Sequence, residues 1–221
     1  MSKGLPLSRN EVLVILTIGI ATPLIDHRVD TLLFQFLFNI QSIVQLSDYL
    51  IASTGGPLFG DLLQAWFQYG AVLAAFLVRK PGAGTIAMTI NGLGQVFISG
   101  AHAPDLLCGV TGLGADIVFA SFRYRRYDIR AVSLAGVASG MFWYPIVYFT
   151  HSLNLFPSSF IVADLAIRVI GSAVGNGLLG AAIGLVILRL ARRVRNNGIG
   201  VSSEPTNRPF ALPIQIPSSG R

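Results

Sequence analysis

Several side chains in this sequence could do chemistry inside an otherwise apolar chain. Met88, Asn91, Gln95 and His102 recur at spacings of three, four and seven, which puts them on one face of a helix. Asp116 is a lone carboxylate deep in an apolar stretch, and Trp143 and Tyr144 stand together near the end of another. Trp66, with Asp61, Gln64 and Gln68, occupies the start of a fourth. A polar group in hydrocarbon is costly and calls for a partner. Amides, aromatic rings and a carboxylate suit a flat, nitrogen-rich or cationic heterocycle, held by stacking, cation–π attraction and charge pairing. Each group also has a plainer use. Asn91 and Gln95 could tie helices together, the aromatics could form an interfacial belt, and Asp116 could meet a proton or Arg123. Asp164 and Arg168 stand one helical turn apart and suit a mutual pair better than a ligand contact.

The elements that must position these groups are membrane helices. The chain has 221 residues, 52% hydrophobic and 12% charged, against about 25% charged in a soluble domain. The net charge of +6 gathers at the ends of apolar stretches, which argues for membrane topology and against nucleic acid. The bunches are Lys3 with Arg9, Arg79 with Lys80, Arg123 to Arg126 with Arg130, and Arg189 to Arg195. If all four face the cytoplasm, two spans lie between each consecutive pair. The expectation is an all-α bundle of six transmembrane helices, with both termini inside and a multi-pass position in the cell membrane. Residues 1–10 form a cytoplasmic N-terminus, 11–195 a transmembrane binding domain and 196–221 a disordered tail rich in Pro, Ser and Asn. The N-terminal apolar stretch lacks a convincing cleavage site, so the first helix is expected to remain in the mature protein.

Along the chain, the first helix starts near Glu11 and should break or kink at Pro23, leaving residues 26–30 at the outer surface. Residues 31–46 read as a lid, a re-entrant piece or an interfacial helix. The remaining helices are expected at 58–78, 84–100, 106–123, 131–150 and 160–190, with a tight outer turn at 101–105. The last is long for one span and is expected to tilt or project. Its small residues Ser172, Asn176, Gly180 and Gly184, like Ala71 and Ala75 earlier, suit close packing between helices of the same chain. With this topology the polar residues of five helices gather at the outer side, as a pocket open to the exterior would require.

One cysteine, Cys108, excludes an internal disulfide and a multi-cysteine metal site. No HExxH and no GxxxxGK[ST] phosphate loop occur. Metal-dependent hydrolysis and ATP hydrolysis by this chain are therefore not expected, and no catalytic residue, metal or cofactor is assigned.

The stretches VRKPGAGTIAMTINGLGQVF and GVTGLGADIVFASFRYRRY, within residues 66–127, resemble the YkoE family. The resemblance rests on Arg79-Lys80-Pro81-Gly82-Ala83, on Gly112-Leu113-Gly114-Ala115-Asp116, and on Phe122-Arg123-Tyr124-Arg125-Arg126. Members are substrate-binding membrane subunits (S components) of energy-coupling factor transporters, a branch of ABC importers. The resemblance implies a thiamine-related ligand, hydroxymethylpyrimidine or thiamine itself, bound near the outer face. It also implies a coupling membrane subunit (the T subunit) and two cytoplasmic ATPases as partners. The chain departs from the family pattern in carrying uncharged Met88 and Gln95 where acidic residues are usual, and Asp116 where Glu is usual. On this reading Asn91, Gln95, Asp116, Trp143, Tyr144, Trp66, Met88 and His102 hold the substrate. A stand-alone secondary carrier, with Asp116 binding a proton, is the alternative, and an intramembrane enzyme the more distant one.

Overall fold

The computed structural model describes residues 7–38, 68–99, 103–150 and 152–196. Its regular elements are helical: α1 (Arg9–Phe38), α2 (Gly70–Val78), α3 (Ala83–Ser99), α4 (Gly109–Ser121), α5 (Ile129–Thr150), α6 (Ser158–Ser172) and α7 (Gly180–Asn196). A 3₁₀ turn at Ala103–Leu107 precedes α4 and another at Leu153–Leu155 precedes α6. A π-helical segment, Ala173–Leu179, joins α6 to α7 without interrupting the rod. Among the described residues, the helical stretches Pro104–Ser121, Ile129–Thr150 and Ser158–Val194 are long and apolar enough to cross a membrane, with Ala83–Ile98 a shorter apolar helix.

α2 is the axis of the bundle. Every residue in it except Leu77 is buried, and α1, α3, α4, α5 and α7 pack around it. Its composition, GAVLAAFLV, has no polar face, as a rod surrounded on all sides requires. It stops where the sequence says it must. Arg79 takes a left-handed conformation (φ 56°) and returns its N–H to the Ala75 carbonyl, and Pro81 cannot continue the ladder. α1 starts at a reciprocal cap, with the Ser8 N–H donating to Glu11 Oε2 at 2.7 Å and the Glu11 N–H to Ser8 Oγ at 3.4 Å. The same Glu11 oxygen accepts from Lys80 Nζ at 2.6 Å, tying the start of α1 to the turn after α2.

Helix contacts rely on small residues. A methyl on Gly112 would run into the Gly84 carbonyl where α4 meets α3. One on Gly177 would lie 2.6 Å from the Val132 carbonyl, so α5 and the π segment touch backbone to backbone. The small-residue stripe of the last rod is used within the chain, Gly180 against the Tyr69 carbonyl and Gly184 against the Phe76 ring. Exposure is inverted relative to a soluble protein. On α6, Val162 and Ile170 are 66% and 65% exposed while Asp164 and Arg168 are fully buried, which suits a hydrocarbon surround.

Two expectations need correction. Pro23 does not end α1, which continues to Phe38. The pyrrolidine ring is buried and packs on Gly94, where a methyl would come within 2.8 Å of Pro23 Cγ. Packing of this kind lets a membrane helix absorb a proline. Residues 26–30 and the first part of 31–46 are accordingly helical, and 39–46 lie outside the described residues. The helix expected to begin at 106 begins at Gly109, because residues 103–107 are wound as a 3₁₀ turn.

Candidate functional site

The basic bunches collect at one end of the bundle, with the α2–α3 turn, the α4–α5 loop and the end of α7. The opposite end is called here the far end. α3 runs from the basic end towards the far end, and α4 returns.

Asp116 faces the N-terminus of α3. Its Oδ2 accepts from the Thr85 N–H at 2.9 Å and the Thr85 hydroxyl at 2.7 Å, and its Oδ1 from the Gly84 N–H at 3.4 Å. These are first-turn donors that no intrahelical carbonyl can satisfy, and an anion there is favoured by the helix dipole. Asp116 is therefore a cap supplied by a neighbouring helix. It lies in the basic half of the bundle, away from the other polar groups. Tyr124 reinforces the joint by donating from its hydroxyl to the Asp116 carbonyl at 3.1 Å. Burial pushes its phenol up to about 12, and Asp116 adds to the rise, so the donor keeps its proton at neutral pH.

The remaining polar groups lie farther along. A methyl on Gly70 would sit 3.3 Å from Met88 Sδ and one on Gly180 2.8 Å from the Tyr69 carbonyl, so α2, α3 and α7 meet at one level. Gln68 in the turn before α2, Asn91 on α3 and Asn176 in the π segment before α7 come next, all on the far-end side. They are 6%, 3% and 0% exposed. Among the described residues, Gln68 Oε1, Asn91 Nδ2 and both amide atoms of Asn176 have no hydrogen-bond partner. Ser172 Oγ, one turn beyond Asn176, is in the same condition, and it faces Gly140 of α5. Trp143, one turn beyond Gly140, is buried with its Nε1–H unpartnered among the described residues. Each unmade hydrogen bond of this kind costs about 1–3 kcal/mol. Five such residues, in the turn before α2, on α3 and α5, and along the rod of α6 and the π segment, have buried polar atoms without a partner among the described residues.

Of the residues expected from sequence, Met88, Asn91 and Trp143 are buried, with Met88 against Gly70 below the amide layer. Gln95, a turn beyond Asn91, is partly buried and engaged within the protein. Tyr144 donates to the Ile161 carbonyl at 3.3 Å, which fixes α5 to α6. Trp66 and His102 lie outside the described residues. Asp164 and Arg168 are fully buried and each has interactions within the protein. Asn176 and Ser172 escaped the sequence reading because they sit in the small-residue stripe. The signal was that two members of that stripe carry hydrogen-bonding groups.

A cavity of about 510 Å³ lies elsewhere, at the basic end, between Phe76, Arg79, Tyr127, Val132, Leu178 and Leu185. It contains none of the expected site residues. Among the described residues no group of three or more His, Cys, Asp or Glu could hold a metal ion.

Residues 10–142 match the family described as "ABC-type cobalt transport system, permease component". YkoE of Bacillus subtilis (strain 168), named as an HMP/thiamine permease protein, is 29% identical over 137 residues, 61% of this chain and 68% of that one. A crystal structure of an S component of an ECF transporter superposes with a TM-score of 0.67 at 23% identity, covering 87% of this chain and 95% of the other. These relatives are transport proteins, and an enzyme is not among them. With its helices, its buried polar layer and these likenesses, the chain is a multi-pass membrane protein that belongs to the family of ABC-type cobalt transport system permease components, as a YkoE-type member with the fold of an ECF S component.

Proposed function

We propose that this chain captures a thiamine-related vitamin or precursor, hydroxymethylpyrimidine or thiamine, from outside the cell. It passes the ligand to an ATP-driven importer built with a coupling T subunit and two ATPases. The topology on this reading is six spans with both termini in the cytoplasm, so that the far end faces outward. The observation that carries the reading is the set of buried amides with unpartnered atoms among the described residues, Gln68 Oε1, Asn91 Nδ2 and both atoms of Asn176, together with the unpartnered indole of Trp143. A pyrimidine ring carries several acceptors and an amino group at its edge. It can meet amide donors and acceptors at once while an aromatic side chain covers its face. The name of the Bacillus subtilis relative points to the same ligands. Gln95, Tyr144, Met88, Trp66 and His102 complete the site on this proposal. Asp116 supports it from below, since its carboxylate already has its donors.

Titration of the purified chain with hydroxymethylpyrimidine and with thiamine, followed by tryptophan fluorescence, tests the reading. Saturable quenching at low micromolar ligand or below is expected. No response below high micromolar for either ligand removes it. Cobalt, the ion in the family description, belongs in the same titration, and a response to cobalt alone replaces the vitamin reading. Orientation is tested separately. A cysteine at Ser152 should react with an impermeant reagent from outside intact cells, and one at Arg126 should not.

A further inference from the structure

The cavity at the basic end has walls of two kinds. Val132 of α5, Leu178 of the π segment, and Ala181 and Leu185 of α7 give it an apolar side. Arg79, from the end of α2, and Arg125, from the α4–α5 loop, give it a cationic side. The guanidinium of Arg79 is held in place by aromatic rings. Its Cζ lies 4.7 Å from the Tyr127 ring centre and 5.8 Å from that of Phe76, and Tyr127 is itself stacked on Phe119 at 4.8 Å. Lys80 next door is paired with Glu11, but no carboxylate of the described residues pairs with Arg79 or Arg125. Asp128 also borders the cavity, yet its Oδ1 accepts the Ala131 N–H at 2.9 Å as the cap of α5. The partial positive charge of the α5 start is thereby taken up by Asp128, and the cationic side rests on Arg79 and Arg125. Arg79 and Arg123 hold left-handed backbone (φ 56° and 53°), as does Tyr124 (φ 54°), so both turns at this end keep conformations that side chains disfavour.

We propose that this cavity binds an anionic phospholipid, its phosphate between Arg79 and Arg125 and an acyl chain along Val132, Leu178 and Leu185. Cations beside an apolar slot at a helix-bundle end match a headgroup joined to its chain. An anionic phospholipid supplies, as one covalent unit, both an anion for Arg79 and Arg125 and a chain for the apolar side. The proposal is independent of what binds at the far end.

Native mass spectrometry of the full-length chain, delipidated in a neutral detergent, supplies the test, with phosphatidylglycerol, phosphatidylcholine and inorganic phosphate as separate probes. Saturable binding of one phosphatidylglycerol is expected, at least about tenfold tighter than phosphatidylcholine and undiminished by millimolar phosphate. Arg125→Gln, at an exposed position, should weaken it about tenfold. Ala182→Trp, which fills the mouth, should abolish it, and Arg193→Gln, a cation of α7 away from the cavity, should not change it. Equal affinity for phosphatidylcholine overturns the proposal. Displacement by inorganic phosphate overturns it in favour of a free-anion site. Undiminished lipid binding in both Arg125→Gln and Ala182→Trp also overturns it, and the cavity is then a seat for a protein partner if Ala182→Trp instead blocks assembly with the coupling subunit.

Discussion

Asp116 and Asn176 are both buried polar side chains in a membrane bundle, and the fold treats them oppositely. Asp116, in the basic half, is met by three donors from the first turn of α3. Asn176, in the π segment, has neither its oxygen nor its nitrogen met by a described residue. The first arrangement ties α4 to α3, the carboxylate taking up donors that the first turn of α3 leaves over. The second leaves an amide whose hydrogen bonds no described residue makes. Burial alone did not distinguish them, since both would pass as intramembrane polar groups in need of explanation.

The sharpest way to break this contrast is Asp116→Ala. It leaves the Gly84 and Thr85 donors buried without an acceptor, and should cost about 2–3 kcal/mol of stability. Thermal unfolding in detergent reads that loss, while the fraction still folded binds ligand as well as the parent does. A large loss of affinity in folded Asp116→Ala protein would return the carboxylate to the site. Asn176→Leu should do the reverse, weakening thiamine or hydroxymethylpyrimidine binding about tenfold while leaving stability unchanged or raised, because an unpartnered amide is replaced by an apolar group of similar size. Asn91→Leu should match it. Trp143→Phe keeps a ring and deletes one donor, so a smaller drop of about threefold to tenfold is expected by calorimetry. The smallest effect belongs to Glu11→Gln, which removes the partly exposed pair with Lys80. The unfolding midpoint should reflect a loss below about 1 kcal/mol, with ligand binding unchanged.

The basic bunches foretold the turns well. Arg79 ends α2, α3 begins at Ala83 against an expected 84, and α5 begins at Ile129 against an expected 131. Charge and the Pro-Gly pair act locally, so a sequence can report them. Pro23, expected to break or kink α1, does not break it, and a distant residue takes part in that: Gly94, whose missing side chain leaves room for the ring. The donors of Asp116 were hidden for a similar reason. Depth in an apolar stretch is visible in sequence, but the α3 N-terminus that caps it comes from residues about thirty positions earlier. Asn91 and Trp143 were legible as polar groups on helical faces. Asn176 was not, because its spacing with Gly180 and Gly184 reads as a packing ridge.

The π-helical stretch Ala173–Leu179 has a geometric consequence for how the last rod can change. A π turn spends one more residue on a loop of backbone than an α turn does. The extra residue is taken up inside the stretch, so Asp164 and Arg168 before it and Gly180 and Gly184 after it keep the phase that an α-helix one residue shorter would give them. Deleting one position there, such as Val174, would let the ladder close as ordinary α-helix with both halves still turned to their present neighbours. The same deletion in the α-helical part of the rod, which has no such slack, would swing one half roughly 100° about the axis relative to the other. The rod therefore tolerates a change of length at one place and at no other.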